Sequence, residues 1–344
     1  FIMTKHKKLK LILGILLFIV LVGVLYFVLQ KIDERDTVET DGEDTYLTSD
    51  NDIIFDGKIY ELDHPVKSYL IMGTDGSGNE NVKGEQYEGS MADFLMLMVI
   101  DEADKKYGFL ALNRDSVAEI PMMDKNGQVD VYNDMYLCLA HAYGGSKRQS
   151  CINTVNAVSS YLHDVPIGGY LAIPMDHISD LNHVLGGVTV TLEDDFTAED
   201  EQMKPGETIT LTDEQAAIFL RGRMDVGDGT NLSRMRRQKA YLEAASQKIR
   251  EQNAQDAKFL AKAYDQIMTY ATSDLNMNVI TKLAKNMDQY ESLGFLQIEG
   301  ETKLGNDRID DGQVHNEFYA DETSLKENVM KLYPLVDTGK TEDD

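Results

Sequence analysis

The stretch SMADFLMLMVIDEADKKYGFLALNRDSVAEIP, residues 90–121, decides how the chain is to be read. FLMLMVI (94–100) and GFLAL (108–112) are apolar runs of strand length, and the polar turn at 101–106 folds one back antiparallel on the other. Asp93 enters the first run, and Arg114 and Asp115 leave the second. An antiparallel hairpin returns those two ends to one edge, so the three side chains converge from different strands. Upstream, KSYLIM (67–72) reads as a buried strand closed by the turn residues Gly73, Thr74, Asp75 and Gly76, which brings Asp75 to a strand end that can join them.

Outward from this core, strands and helices interleave without strict βαβ order. Residues 133–143 and 150–162 carry apolar residues at helical spacing around Gly144-Gly145-Ser146 and are expected as two helices. Residues 170–173 and 187–192 are strand candidates flanking a helix at 175–185. TDEQ at 212–215 is a capping box that opens a helix to about residue 220, and a long amphipathic helix follows over 231–252. Residues 257–270, 277–287 and 324–332 are expected to be helical. The fold class expected is α/β, an α/β/α sandwich with a mixed central sheet, preceded by one N-terminal transmembrane helix.

That helix is the run LILGILLFIVLVGVLYFVL, residues 11–29, which spans roughly 28 Å at the helical rise and matches a bilayer core. Lys5, Lys7, Lys8 and Lys10 precede it, so the positive-inside rule leaves 1–10 as a cytoplasmic tail and the remainder outside, a single-pass type II membrane topology. A cleaved signal peptide is the alternative, against which stand the length of the run and the lack of a small-x-small site before Gln30. Residues 30–64 read as an acidic extracellular linker, 65–252 as the catalytic core, 253–335 as a C-terminal helical part and 336–344 as a tail. The 344-residue chain has 33 Lys and Arg against 59 Asp and Glu, a formal charge of -26 that disfavours nucleic acid as a partner. Cys138 and Cys151, the only cysteines, exclude a four-cysteine zinc site; a single disulfide and two reduced buried thiols both remain open.

In so acidic a chain, RGRMDVGDGTNLSRMRRQ (221–238) stands out, because it holds five of the ten arginines. Arg234, Arg237 and Gln238 fall at i, i+3 and i+4 on one helix face, Arg236 points elsewhere, and Arg221 and Arg223 can point together if extended. Planar guanidinium forks suit phosphate or pyrophosphate, although a solvated face balanced by Asp225 and Asp228 has the same spacing. Asp75, Asp93 and Asp115 are the complementary half, hard carboxylates able to hold Mg²⁺ beside a phosphate. Together they point to metal-assisted phosphoryl transfer. His141, His177 and His183 lack metal-site spacing, and Gly144-Gly145-Ser146-Lys147 lacks the full phosphate-loop pattern.

At these residues the chain resembles the LytR-CpsA-Psr family of cell-wall glycopolymer ligases. SYLIMGTDGSG is similar to the family's opening strand and Gly-x-Asp turn, and residues 90–121 to its Arg-Ser-Asp strand, hairpin and Pro-Arg-Asp motif. LAHAYGGSKRQSCINTVNAV, LNHVLGGVTVTLEDDF and LTDEQAAIFLRGR with LSRMRRQ follow in the family's order. The resemblance implies an undecaprenyl-pyrophosphate-linked glycan as donor, its isoprenoid tail in an apolar tunnel, and transfer of the phospho-glycan to peptidoglycan. By motif position, Asp75 and Asp93 would be Mg²⁺ ligands, while Arg114, Arg221, Arg223, Arg237 and Gln238 would contact pyrophosphate. Arg234 would support the site, and Asp115 or Asp93 would take the hydroxyl proton. Met91 stands where the family has a pyrophosphate-contacting Arg, Asn113 replaces the Pro of Pro-Arg-Asp, and Asn231-Leu232-Ser233 replaces Asp-Phe-Gly. Loss of one charge-assisted contact costs on the order of 1.5 to 3 kcal/mol and implies reduced activity. The expected function is a membrane-anchored, extracellular, Mg²⁺-dependent glycopolymer phosphotransferase. The alternative is a catalytically weak protein of the same fold that binds polyprenyl-pyrophosphate precursors or scaffolds wall assembly.

Overall fold

The computed structural model describes residues 52–75, 81–83, 86–88, 90–123, 128–144, 146–222, 226–256, 259–274, 289–306, 308 and 312–342. The apolar run 11–29, most of the acidic stretch after it, and the helix expected at 277–287 lie outside the described residues. Among the described residues no helix is long and apolar enough to cross a membrane. Two compact units form: a sheet unit of Gly42–Ile173, Thr272–Asp274 and Phe295–Asp344, and a helical unit that includes Pro174–Ala271 and Leu275–Gly294.

The chain runs β1 (Ile53–Phe55), β2 (Lys58–Leu62), β3 (Lys67–Thr74), β4 (Asn81–Lys83), β5 (Gln86–Glu88), β6 (Ala92–Asp101), β7 (Lys106–Leu112), β8 (Val117–Met123) and β9 (Val129–Tyr136). Helices α1 (Leu139–Ala142) and α2 (Lys147–Tyr161) and strand β10 (Tyr170–Pro174) follow. The helical unit then supplies α3 (Ile178–Leu185), the two-stranded β11 (Thr189–Thr191) and β12 (Thr208–Thr210), α4 (Asp213–Arg221), α5 (Asn231–Gln255) and α6 (Phe259–Ile267). The remaining elements are β13 (Thr272–Ser273), β14 (Glu291–Gln297), β15 (Gly300–Leu304), β16 (Asn316–Ala320), α7 (Glu322–Leu332) and β17 (Leu335–Thr341).

The central sheet has the order β13-β10-β3-β6-β7-β14. β3 pairs antiparallel with β6, β6 with β7, and β10 with β13. The Gly168 N–H donates to the Ser68 carbonyl and the Leu70 N–H to the Gly169 carbonyl, both at 2.9 Å. These bonds advance together along the two segments, the parallel sense for β10 beside β3, so the sheet is mixed. β3 and β6 are buried almost end to end, with no in-out alternation, because both their faces are covered. Leu70, Leu97, Met98, Phe109 and Leu110 have no accessible surface and form the centre of this core. The hairpin turn is closed by the Asp101 carboxylate, which accepts the Asp104 N–H at 2.8 Å, with Lys105 at positive φ.

Several expectations are corrected. Residues 133–143 do not form one helix: β9 takes the first part, antiparallel to β8, and only Leu139–Ala142 turns helically. Val129, Val131, Tyr132 and Tyr136 favour a pleated strand once β8 offers a partner, which outweighs the helical spacing of Met135, Leu137 and Leu139. The C-terminal part, 253–335, is not purely helical, since β13 to β16 lie within it. Part of the expected linker is strand, β1 and β2, and the tail supplies β17, which pairs with β2. No disulfide joins Cys138 and Cys151; each is a buried thiol. The α4 capping box is present in full: Thr212 Oγ1 accepts the Gln215 N–H at 3.2 Å, and Gln215 Oε1 accepts the Thr212 N–H at 3.1 Å.

His64 ties the entry of β3 to the β6–β7 turn, with Nε2 2.9 Å from Asp101 Oδ1 and Nδ1 3.2 Å from Asp63 Oδ2. Hydrogen bonding to Asp101, then to Asp63, raises its pKa above the ordinary 6.5. A raised folded-state pKa contributes stability that is full below the unfolded value and is lost as pH climbs through the folded one. The thermal midpoint of the protein is therefore expected to fall, as pH rises past about 6.5, more steeply than that of a His64→Gln variant. Parallel slopes in thermal melts across that range would remove this linkage.

Candidate functional site

In the sheet unit the site is built by a break in register. β3 and β6 pair regularly to Gly73 opposite Phe94, then shift so that Thr74 faces Ala92. Asp93 is the extra residue of this bulge, a device that re-aims a side chain at a strand end. The Asp75 N–H donates to the Met91 carbonyl at 2.8 Å, which holds the end of β3 beside the start of β6.

From the other side of the hairpin, Arg114 and Asp115 leave β7. Asn113 Oδ1 accepts the Asp115 N–H at 3.0 Å, and the Asn113 carbonyl accepts the Ser116 N–H at 3.1 Å, so this turn is fixed from within. The Phe318 N–H donates to the Asp115 carbonyl at 2.8 Å, tying β16 to the same turn. The β16 residue before it, Glu317, is buried, and burial would raise its pKa. Arg308, Tyr319 and the Asn306 N–H outweigh that and hold its carboxyl down at about 2.

Arg114 lies at the centre. Its Nη1 pairs with Asp93 Oδ1, its Nε is 3.4 Å from Asp115 Oδ1, and its Nη2 donates to Cys138 Sγ at 3.0 Å and Met91 Sδ at 3.4 Å. Burial works against the charge of this guanidinium, but the Cys138 sulfur and the Asp115 and Asp75 carboxylates overcome it and raise the Arg114 pKa. Arg114 thus stands among three acidic side chains, Asp93, Asp115 and Asp75. Among the described residues, the group that brings three ligand atoms close enough for one ion is His64, Asp101 and Asp104, not the acids around Arg114. Asp75, Asp93 and Asp115 are therefore not a closed metal cage. They fit Mg²⁺ in its other habit, one or two carboxylates with phosphate oxygens and water completing the shell. His141, read as structural, is buried with Nδ1 2.6 Å from the Ser90 carbonyl; burial lowers its pKa and keeps it neutral.

The arginine motif occupies the helical unit. As its spacing predicts, Arg234, Arg237 and Gln238 share the buried face of α5, while Arg236 is exposed. Their partners, however, are those of a structural joint. Arg237 Nε donates to the Phe219 carbonyl at 3.0 Å, its Nη2 to the Gly222 carbonyl, and its Nη1 to Asp194 Oδ2 at 2.7 Å and Ser233 Oγ at 2.9 Å. Gln238 Nε2 donates to the Leu220 carbonyl at 3.4 Å, so two side chains of α5 satisfy the last carbonyls of α4. Arg234 donates twice to Asn231 Oδ1, at 3.0 and 2.7 Å. Of the motif residues expected at pyrophosphate, Arg221 is accessible, 38% exposed and 2.9 Å from Asp176, and Arg223 lies outside the described residues. Gly227 must be glycine: its φ is +64°, and a Cβ there would come within 2.3 Å of Ser233 Oγ.

Each unit thus gathers its own half of the expected site, Asp75, Asp93, Arg114 and Asp115 in one, Arg234, Arg237 and Gln238 in the other. Sequence reasoning missed two partners. Asp194, which pairs with Arg237, sits in the acidic run LEDDF without distinguishing neighbours. Cys138, the partner of Arg114, reads in sequence as half of a disulfide or as a reduced buried thiol, with no signal for an arginine partner.

Arg237→Ala is expected to destabilise the protein by about 2 to 4 kcal/mol, because it removes the ion pair of Asp194 and the donors of the α4 carbonyls. Arg236→Ala is expected to stay within about 0.5 kcal/mol. Denaturant titration of both checks the division; equal effects would refute it.

The pattern of the LytR_cpsA_psr family matches residues 30–332 of the chain. "Biofilm regulatory protein A" of Streptococcus mutans is 27% identical over 258 residues, 71% of this chain and 59% of that protein. "Polyisoprenyl-teichoic acid--peptidoglycan teichoic acid transferase TagU" of Enterococcus faecalis is 26% identical over 243 residues, 67% of this chain and 71% of that one. The crystal structure of TagV from B. subtilis shares the fold, with a TM-score of 0.58 at 19% identity over 78% of this chain and 95% of that one.

Proposed function

The chain belongs to the LytR-CpsA-Psr family, and from that premise we propose that it is a cell-wall glycopolymer transferase, a membrane-anchored extracellular phosphotransferase that moves a glycopolymer from undecaprenyl pyrophosphate to peptidoglycan. The observation that carries this reading is Arg114, its side chain 12% exposed, beside Asp93, Asp115 and Asp75 at converging strand ends. The name of the E. faecalis relative, a polyisoprenyl-teichoic acid to peptidoglycan transferase, supports the class of donor and acceptor. The apolar run 11–29 supports a type II anchor, and the α/β/α layering belongs to the same proposal.

In this reading a sugar hydroxyl attacks the glycan-side phosphorus. A bond forms from the hydroxyl oxygen to that phosphorus, the bridging P–O bond breaks, and polyprenyl phosphate departs with the electron pair. Asp115 or Asp93 takes the hydroxyl proton, and the Nη2 edge of Arg114 turns from its sulfur partners to a phosphate oxygen. Arg221, 38% exposed in the helical unit, keeps a guanidinium that a phosphate can reach. Asp75 and Asp93 would hold Mg²⁺, which offsets charge on the phosphate oxygens. Arg237, Gln238 and Arg234 act by keeping α4 and α5 in place. A second reading, a precursor-binding protein with weak turnover, is favoured by Met91, which presents a sulfur to Arg114 and no charge to a phosphate.

The full chain in detergent, given polyprenyl-pyrophosphate glycan and peptidoglycan fragments, is expected to form a ligated product followed by mass. Removal of Mg²⁺, or Asp93→Asn, is expected to lower the rate by about 100-fold or more. Arg221→Ala is the cleaner binding control, because Arg237→Ala perturbs the fold. Donor binding without product would select the second reading, and no donor binding would remove both.

A further inference from the structure

We infer that Cys138 and Met91 form a two-sulfur cradle that aims the phosphate-facing edge of Arg114, which makes Cys138 a positioning residue for the transfer. The role in transfer rests on the proposed function, whereas the cradle itself rests on geometry. Cys138 has no accessible surface and bonds to both sides of the site through its main chain. Its N–H donates to the Arg114 carbonyl at 3.1 Å, and its carbonyl accepts the Ala92 N–H at 3.0 Å, one residue before Asp93. Its sulfur then accepts from Arg114 Nη2 at 3.0 Å, so one residue fixes the backbone of Arg114, the start of β6 and the guanidinium. Met91 supplies the second sulfur at 3.4 Å and is itself held by the Asp75 N–H on its carbonyl.

The chemistry divides the guanidinium in two. Nη1 and Nε face the carboxylates of Asp93 and Asp115, ion pairs that hold the group by charge. Nη2 faces sulfur, a weak acceptor. A weak acceptor sets the direction of an N–H without competing strongly for it, and a phosphate oxygen displaces it with a net gain. A third carboxylate in the place of the sulfurs would hold Nη2 against the ligand. The positions of Cys138 and Met91 therefore pre-aim the Nη2 edge of Arg114, which faces sulfur rather than carboxylate.

The test uses the full chain in detergent, labelled with ¹⁵N-arginine, with the Arg114 signals assigned by their loss in Arg114→Lys. In the parent protein, slow rotation about the Cζ–Nη bonds is expected to give resolved Nη resonances for Arg114. Cys138→Ala is expected to average them and to weaken binding of inorganic pyrophosphate about tenfold. Cys138→Ser keeps an acceptor and is expected to retain the resolved signals, whereas a role in packing alone would make Ala and Ser alike. Should Cys138→Ala fail to fold, Met91→Leu, at a less buried position, decides in its place, with a smaller averaging in the same direction. Unchanged Arg114 resonances and unchanged pyrophosphate affinity in the folded variants would overturn the cradle. Averaged resonances in a protein whose parent form binds no pyrophosphate would leave the cradle standing and overturn the phosphate reading.

Discussion

The pairing of β3 with β6 is the constraint on which the sheet unit depends. It runs from Lys67 opposite Ile100 to Thr74 opposite Ala92, and both strands are buried along almost their whole length. A slip of one residue would exchange the side chains of β6 between its two covered faces and break the packing on both. That penalty holds the register everywhere except at the last pair, where the bulge leaves Asp93 over. The acid therefore sits where it does because the core permits no other register, and Asp75, two residues past Gly73, is held opposite by its bond to Met91.

Two arginines, Arg114 and Arg237, show how the surroundings divide the work of this residue type. Arg114 is largely desolvated, yet Cys138, Asp115 and Asp75 outweigh that, so its pKa rises. Arg237 is buried with one carboxylate, Asp194, and two helix-end carbonyls, and there desolvation dominates and its pKa falls. The first site sets one guanidinium among several acids. The second is closed: every nitrogen of Arg237 points at an acceptor of α4, Ser233 or Asp194, with the ring of Phe196 5.5 Å from the guanidinium carbon.

Much of this was legible in sequence where local rules and tertiary packing agree. The hairpin 94–112 has apolar runs, a polar turn and strand length, and the TDEQ box has both of its reciprocal bonds, so each formed as read. The face of α5 followed from helical spacing alone. What failed depended on partners outside the segment being read. β9 is a strand because β8, just before it in sequence, lies beside it, and β2 because β17 returns from more than 270 residues away, which no short window contains. For the site, the convergence of Asp93, Arg114 and Asp115 followed from antiparallel geometry, but the part played by Cys138 required knowing that the segment after β9 passes between Arg114 and Ala92.

The motif RGRMDVGDGTNLSRMRRQ carries the more general point. Its concentration of positive charge in a chain of net charge -26 invited a polyanion as the explanation. The ends of helices offer another. The last carbonyls of α4 need donors, and a buried joint between α4 and α5 has no water to supply them. A guanidinium offers five N–H groups in a fixed fork and can serve several carbonyls and a carboxylate at once, which a lysine cannot. Arginines three and four residues from their neighbours on one helix face are therefore as well suited to closing the end of an adjacent helix as to holding a phosphate. Exposure separates the two uses: Arg237, 4% exposed, is committed to the joint, while Arg221, 38% exposed, retains access to solvent and hence to a ligand.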